Sequence, residues 1–163
     1  MKNKNLNQKR VTLYAVMTAF CMTAIFYFSS QNGSASQEMS DGLLAKIKEI
    51  IEVLPKLTGE GAEHDIRKYA HIAEFFGLGL SASLLIHELI RKVRHCVLYS
   101  ASAAWLCCFI YACMDELHQY FVPGRSSQFT DVLVDSCGFT LGIAITVAII
   151  CIMRNFKRRK SNG

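Results

Sequence analysis

Four long apolar stretches dictate what this chain can become: Val11–Phe28, about Tyr69–Ile90, about Val97–Tyr120 and about Phe129–Met153. They hold nearly all of its hydrophobic residues, and the first contains no charge. At a helical rise of about 1.5 Å per residue, each can cross a hydrocarbon core of roughly 30 Å. In lipid, a single segment satisfies its own backbone N–H and C=O groups only as a helix. The expected class is therefore all-α, a membrane protein built as a four-transmembrane-helix bundle. The hydrophobic share, 52% of 163 residues, is close to that of a soluble protein. Concentration of that share into four blocks excludes a soluble enzyme, a disordered tail and a disulfide-stapled secreted module. One domain is expected, residues 11–153, flanked by basic tails at 1–10 and 154–163.

Lys and Arg set the orientation. Lys2, Lys4, Lys9 and Arg10 precede the first span, Arg91, Lys92 and Arg94 lie between the second and third, and Arg154, Lys157, Arg158, Arg159 and Lys160 follow the fourth. Those twelve of the eighteen basic residues place both termini in the cytoplasm by the positive-inside rule. The net charge of +5 then serves orientation and contact with anionic lipid, and no nucleic-acid partner is expected. Ser34-Ala35-Ser36 resembles a signal-peptidase site. The preceding apolar run, however, exceeds the usual signal-peptide core and is rich in Phe and Tyr near its end, so it reads as an uncleaved anchor. Six of the seven Cys lie within spans, Cys96 sits in the turn on the basic side, and no CxxC occurs; disulfide and zinc-thiolate roles are not expected.

The outer loop, Ser29–Lys68, carries Met39, Leu43, Leu44, Ile47, Ile50, Ile51 and Leu54 at helical spacing, against Lys46, Lys48, Glu49 and Glu52. This predicts an amphipathic helix ended by Pro55. It can lie on the outer leaflet or pack over the helix ends as a lid.

Ionisable residues inside spans are costly and so point to function. Arg67, His71, Glu74 and Leu78 form one narrow stripe on the second span. Tyr111, Asp115, His118 and Gln119 share a face of the third, with Glu116 expected off that face. Gln128, Asp131, Asp135, Gly138 and Gly142 share a face of the fourth. All three stripes fall at the outer helix ends, with Glu74, Asp115 and Asp135 each roughly 9 Å in. Spans two and four start there, at positive dipole ends; span three finishes there, at a negative end that disfavours Asp115 and Glu116. A cation must compensate, from among Arg125, Arg67, Lys68, His71 and His118; the Pro123-Gly124 turn folds Arg125 back. Gly138-x-x-x-Gly142 offers a face for close helix packing. His87 and Glu88, at the opposite end, read as interfacial, with Arg91 snorkelling beside them.

Four pieces in register carry a resemblance. They are Phe28-Ser-Ser-Gln-Asn-Gly33, Arg67-Lys-x-x-His71-x-x-Glu74, Asp115-Glu-x-His-Gln119 with Phe121-x-Pro-Gly-Arg125, and Asp131-x-x-x-Asp135-x-x-Gly138. In order, spacing and membrane placement, about residues 20–145 resemble the VanZ-like family of small bacterial membrane proteins. The resemblance implies a cell-envelope protein; the family's namesake is associated with lowered susceptibility to lipoglycopeptides such as teicoplanin.

Three readings follow for the outer polar cluster of Ser29, Ser30, Gln31, Arg67, Lys68, His71, Glu74, Asp115, Glu116, His118, Gln119, Arg125, Asp131 and Asp135. In the first, a non-enzymatic protein binds a lipid or cell-wall-precursor headgroup there, or hinders a lipoglycopeptide; Arg67, Lys68 and Arg125 meet phosphate or carboxylate, and Ser29, Ser30 and Gln31 supply hydrogen bonds. A second makes it an intramembrane hydrolase or transferase, with His71, Glu74, Asp115, His118, Asp131 and Asp135 as acid, base or ligands of a divalent metal. The third is a purely structural charge network. No cofactor is predicted; a divalent metal belongs to the second reading. The expected partners are membrane lipids and, under the first reading, a lipid-linked precursor or lipoglycopeptide. A transporter is disfavoured, because no span is broken and no ionisable group lies at mid-membrane.

Overall fold

A computed structural model describes residues 2–31, 42, 62–125 and 128–162. Four helices make up the architecture: α1 (Lys2–Ser29), α2 (Ala62–Ile90), α3 (Cys96–Tyr120) and α4 (Phe129–Asn162). No strand occurs among the described residues. Each helix contains a segment long and apolar enough to cross a membrane: Leu6–Ser29, Lys68–Ile90, Cys96–Tyr120 and Phe129–Lys160. The all-α, four-span expectation holds, and the chain is a multi-pass membrane protein. The amphipathic helix expected over Met39–Leu54 lies outside the described residues.

Both basic tails continue as helix instead of forming separate segments. Lys and Arg are good helix formers, and neither Gly nor Pro interrupts Met153–Asn162. The turn between α2 and α3 is short, and His95 takes a left-handed conformation (φ 59°) to open α3.

α2 is the centre of the bundle, touching α1, α3 and α4, and its widest contact is with α4. Small residues make that contact possible. A Cβ at Gly138 would stand 2.5 Å from the Ile72 carbonyl oxygen, and one at Gly142 or Gly79 would run into the backbone of Phe76 or Phe139. The Gly138/Gly142 face is thus a true contact, with Gly79 as its counterpart on α2. Apolar association between helices has no water to drive it in lipid, so backbone approach and dispersion carry the packing. Around this contact Phe75, Leu78, Ala82, Val132, Phe139 and Ile143 are buried.

α3 closes against the pair through residues four apart: Cys96, Ser100, Ala104, Cys108 and Ala112. The same buried seam ends in Asp115, Glu116 and Gln119. Glu116, expected off the face that carries Asp115, is buried as well, at 5% exposed. It lies one seam step beyond Ala112, and at the end of α3 the seam is wide enough to take two adjacent acids. α1 is peripheral and contributes Ile25 and Ser29 to the interior, while Phe20, Leu13 and Val16 point outward as a lipid solvent permits.

The start of α1 and the end of α4 lie at the same end of the bundle. Arg10 Nη1 and Arg91 Nη1 approach the Glu88 carboxylate at 3.5 and 3.4 Å, and Arg154 Nη2 lies 2.8 Å from Cys96 Sγ. The interfacial pair His87–Glu88 is more enclosed than snorkelling alone implies, with the Glu88 side chain 11% exposed.

Gly79→Val should destabilise the bundle by about 1–3 kcal/mol through overpacking. Gly77→Ala, whose new Cβ meets only Cys21 Sγ at 3.5 Å, should leave it unchanged or slightly more stable. Melting of the detergent-solubilised variants, followed by the loss of monodisperse protein on heating, checks both.

Candidate functional site

At the end opposite the termini, α1 and α3 finish while α2 and α4 begin. α1 and α3 thus leave unsatisfied carbonyls and negative dipole ends there. The sequence supplies a cation on a tight reversal. Phe121 N–H donates to His118 O and Val122 N–H to Gln119 O, both at 3.0 Å, and Gly124 takes φ 76°, a conformation open to glycine at no steric cost. Arg125 is carried back over the helix ends by this turn. Its Nη2 donates to Phe28 O at 2.6 Å, its Nε to Gln31 O at 3.1 Å and its Nη1 to Gln119 Oε1 at 3.1 Å. A guanidinium has the forked donors this needs; an ammonium does not.

Gln119 relays the contact inward. Its Nε2 donates to Asp115 Oδ2 at 2.8 Å, and Ser29 Oγ donates to the same oxygen at 2.8 Å. Ser29, Asp115 and Gln119 are all buried. Arg125 therefore reaches Asp115 through Gln119, completing a chain from α1 through α3 to the turn. Beside it, Ser30 Oγ lies 3.1 Å from His118 Nε2, and the His118 ring stacks on Phe26 at 4.7 Å. Tyr111 donates its hydroxyl to Met22 O at 2.6 Å. These polar contacts hold α1, which buries little apolar surface of its own.

Glu116 faces the start of α4. Its Oε1 accepts the backbone N–H of Gln128 at 2.7 Å, putting a carboxylate at the positive end of that helix. The unfavourable dipole of α3 is offset by the favourable one of α4.

A third group completes the cluster. His71 Nδ1 lies 3.8 Å from Asp135 Oδ1, and one ligating atom each from His71, Asp115 and Asp135 falls within 4.8 Å of the others. They come from α2, α3 and α4. Glu74 Oε2 is buried with no hydrogen-bond partner among the described residues. Among the described side chains carboxylates outnumber cations at this level, and the donor set of two carboxylates and an imidazole suits Mn, Zn or Fe.

The sequence-derived cluster is thus sorted into parts. Ser29, Asp115, Gln119 and Arg125 form the relay, Ser30 and His118 a side contact, Glu116 a helix-end contact, and His71, Asp115 and Asp135 a ligand-like triad. Gln31 joins through its carbonyl; its side-chain amide turns to Tyr27 O at 3.5 Å. Asp131 and Lys68 are half-buried at the margin, and the Arg67 side chain lies outside the described residues. Sequence reasoning missed the Phe28 carbonyl, the Gln128 N–H and the Phe26 ring. The signal for the carbonyl was available: a helix ending in a membrane leaves acceptors that a nearby Arg can take.

A family model described as VanZ/LLP1 matches residues 14–152, most of the chain. No curated protein and no solved structure matches.

Arg125→Lys should destabilise the protein by about 1.5–3 kcal/mol, because one ammonium cannot serve the three acceptors at their separate positions. Ser29→Ala, which removes a single donor to buried Asp115, should cost about 1–3 kcal/mol. Thermal melts in detergent check both, with crosslinking of α1 to α3 reporting whether α1 has come away.

Proposed function

The chain belongs to the VanZ-like family, and we propose that it is a cell-envelope membrane protein whose polar cluster takes the phosphate of a lipid or cell-wall-precursor headgroup through a divalent cation. The observation that carries this reading is the convergence of His71, Asp115 and Asp135 from three helices, with ligating atoms within 4.8 Å of one another. A metal held there would draw the three ligating atoms closer together than the 4.8 Å within which they now lie. Glu74, with its buried unpartnered oxygen, is the nearby reserve carboxylate.

Charge decides between direct and cation-mediated binding. Arg125, which sequence reasoning offers to the phosphate, donates to Phe28 O, Gln31 O and Gln119 Oε1. Left to itself, the surplus of carboxylates repels an anion. A divalent ion held by His71, Asp115 and Asp135 would reverse the local sign and supply attraction for a phosphate. The excess of Lys and Arg at the opposite end supports an outward-facing cluster with both termini cytoplasmic. Occupation of an envelope-precursor headgroup at the outer leaflet would lower susceptibility to a lipid-anchored glycopeptide such as teicoplanin more than to vancomycin.

The same donor set favours a second reading, an intramembrane hydrolase or transferase acting on a lipid-linked substrate. A metal held by His71, Asp115 and Asp135 would supply activation of water for such a reaction. Turnover separates the two: binding alone releases no phosphate from a lipid-linked diphosphate, whereas the enzyme does.

Equilibrium dialysis of the purified protein with Mn2+ and Zn2+ should find one ion per chain. Asp135→Asn and His71→Gln should weaken it by at least about tenfold, while Gln119→Ala lowers stability first. In cells, deletion should raise teicoplanin susceptibility with vancomycin unchanged, and Asp135→Asn should accumulate normally without restoring it. Unchanged susceptibility to both drugs would remove the antibiotic role; failure of Asp135→Asn to accumulate would make the cluster structural.

A further inference from the structure

The end carrying the termini holds a cavity that the polar cluster does not touch. It has a volume of about 250 Å³ and is lined by Leu6, Asn7, Arg10, Arg91 and Lys157. At roughly 30 Å³ per water this is room for a headgroup and not only for a single ion. The lining comes from the start of α1, the turn after α2 and the last turns of α4. Three of its five residues are cations. Glu88, at 3.5 Å from Arg10 and 3.4 Å from Arg91, holds those two guanidinium groups beside each other while neutralising only one charge. Lys157 adds a third cation from α4, so the site stays positive.

An independent feature lies beside the same space, at the lining residue Asn7. Asn7 Oδ1 is buried and has no hydrogen-bond partner among the described residues. A buried amide oxygen without a donor is costly, and a hydroxyl-bearing ligand would satisfy it. Leu6, 53% exposed, completes the lining.

We infer that this cavity seats the headgroup of an anionic phospholipid, its phosphate against Arg10, Arg91 and Lys157 and a headgroup hydroxyl donating to Asn7 Oδ1. Phosphatidylglycerol has both groups. The cations accept no proton and break no bond here; the site is one of recognition, pinning α1 and α4 to a shared lipid. A free phosphate offers the same charge but neither the hydroxyl nor the chains.

The test is native mass spectrometry of the full chain in detergent, titrated with phosphatidylglycerol or phosphatidylcholine, with inorganic phosphate as competitor. Phosphatidylglycerol should be retained and phosphatidylcholine lost. Lys157→Gln, which leaves both Glu88 contacts in place, should weaken retention about fivefold, and Asn7→Asp, which puts an anion into the cavity, by at least as much. Arg159→Gln removes the same charge from an exposed position outside the lining and should change retention by less than about twofold. Equal losses for Lys157→Gln and Arg159→Gln would overturn the site in favour of diffuse attraction. Equal retention of the two lipids, or displacement by inorganic phosphate at matching concentration, would overturn the lipid assignment.

Discussion

The structure depends on a carboxylate placed where a helix dipole opposes it. Asp115 sits in the last turns of α3, buried, near a negative helix end. Such a group persists only if donors reach it, and here Ser29 and Gln119 do so from two directions. Gln119 is held in turn by Arg125, and Arg125 is held over α1 by the Pro123-Gly124 reversal. One buried acid thus fixes the end of α1, the end of α3 and the course of the chain into α4. The order of these contacts also explains why a peripheral helix with little buried apolar surface stays attached.

Close packing elsewhere makes this cluster tight. Gly79, Gly138 and Gly142 let α2 and α4 approach until backbone meets backbone, and the small residues of α3 bring it in alongside. His71 and Asp135 project from that α2–α4 contact, one turn or less from the glycine-mediated approach of Gly138 to Ile72. The small-residue seam and the ligand-like triad are therefore parts of one arrangement. Widening the helix spacing at Gly138 would separate the very side chains that converge above it.

The two ends of the bundle have opposite electrostatic characters. One gathers acids around a single relay through Arg125; the other gathers the guanidinium groups of Arg10 and Arg91 around Glu88. Helix direction sharpens the contrast, since α4 starts beside Glu116 and finishes among Arg154, Lys157, Arg158 and Arg159. Negative groups lie near its positive end and positive groups near its negative end, the favourable sense for both.

Linear pattern alone determined the four spans, their class and the gathering of polar groups at one end. Apolar length and the position of charge along a helix are local properties, and a bilayer converts them directly into topology. The motifs that resemble the VanZ-like family could be seen for the same reason: their residues are close in sequence and recur at helix ends. Tertiary structure alone decided what each of those residues touches. Glu116 accepts from the start of α4 while its neighbour Asp115 accepts from Ser29 and Gln119, and Arg125 went to backbone carbonyls because α1 ends beside it. Which side chains of separate helices meet depends on backbone approach and on rotation about helix axes. Periodicity fixes a face within one helix but leaves its angle toward the next to the packing of glycine against backbone.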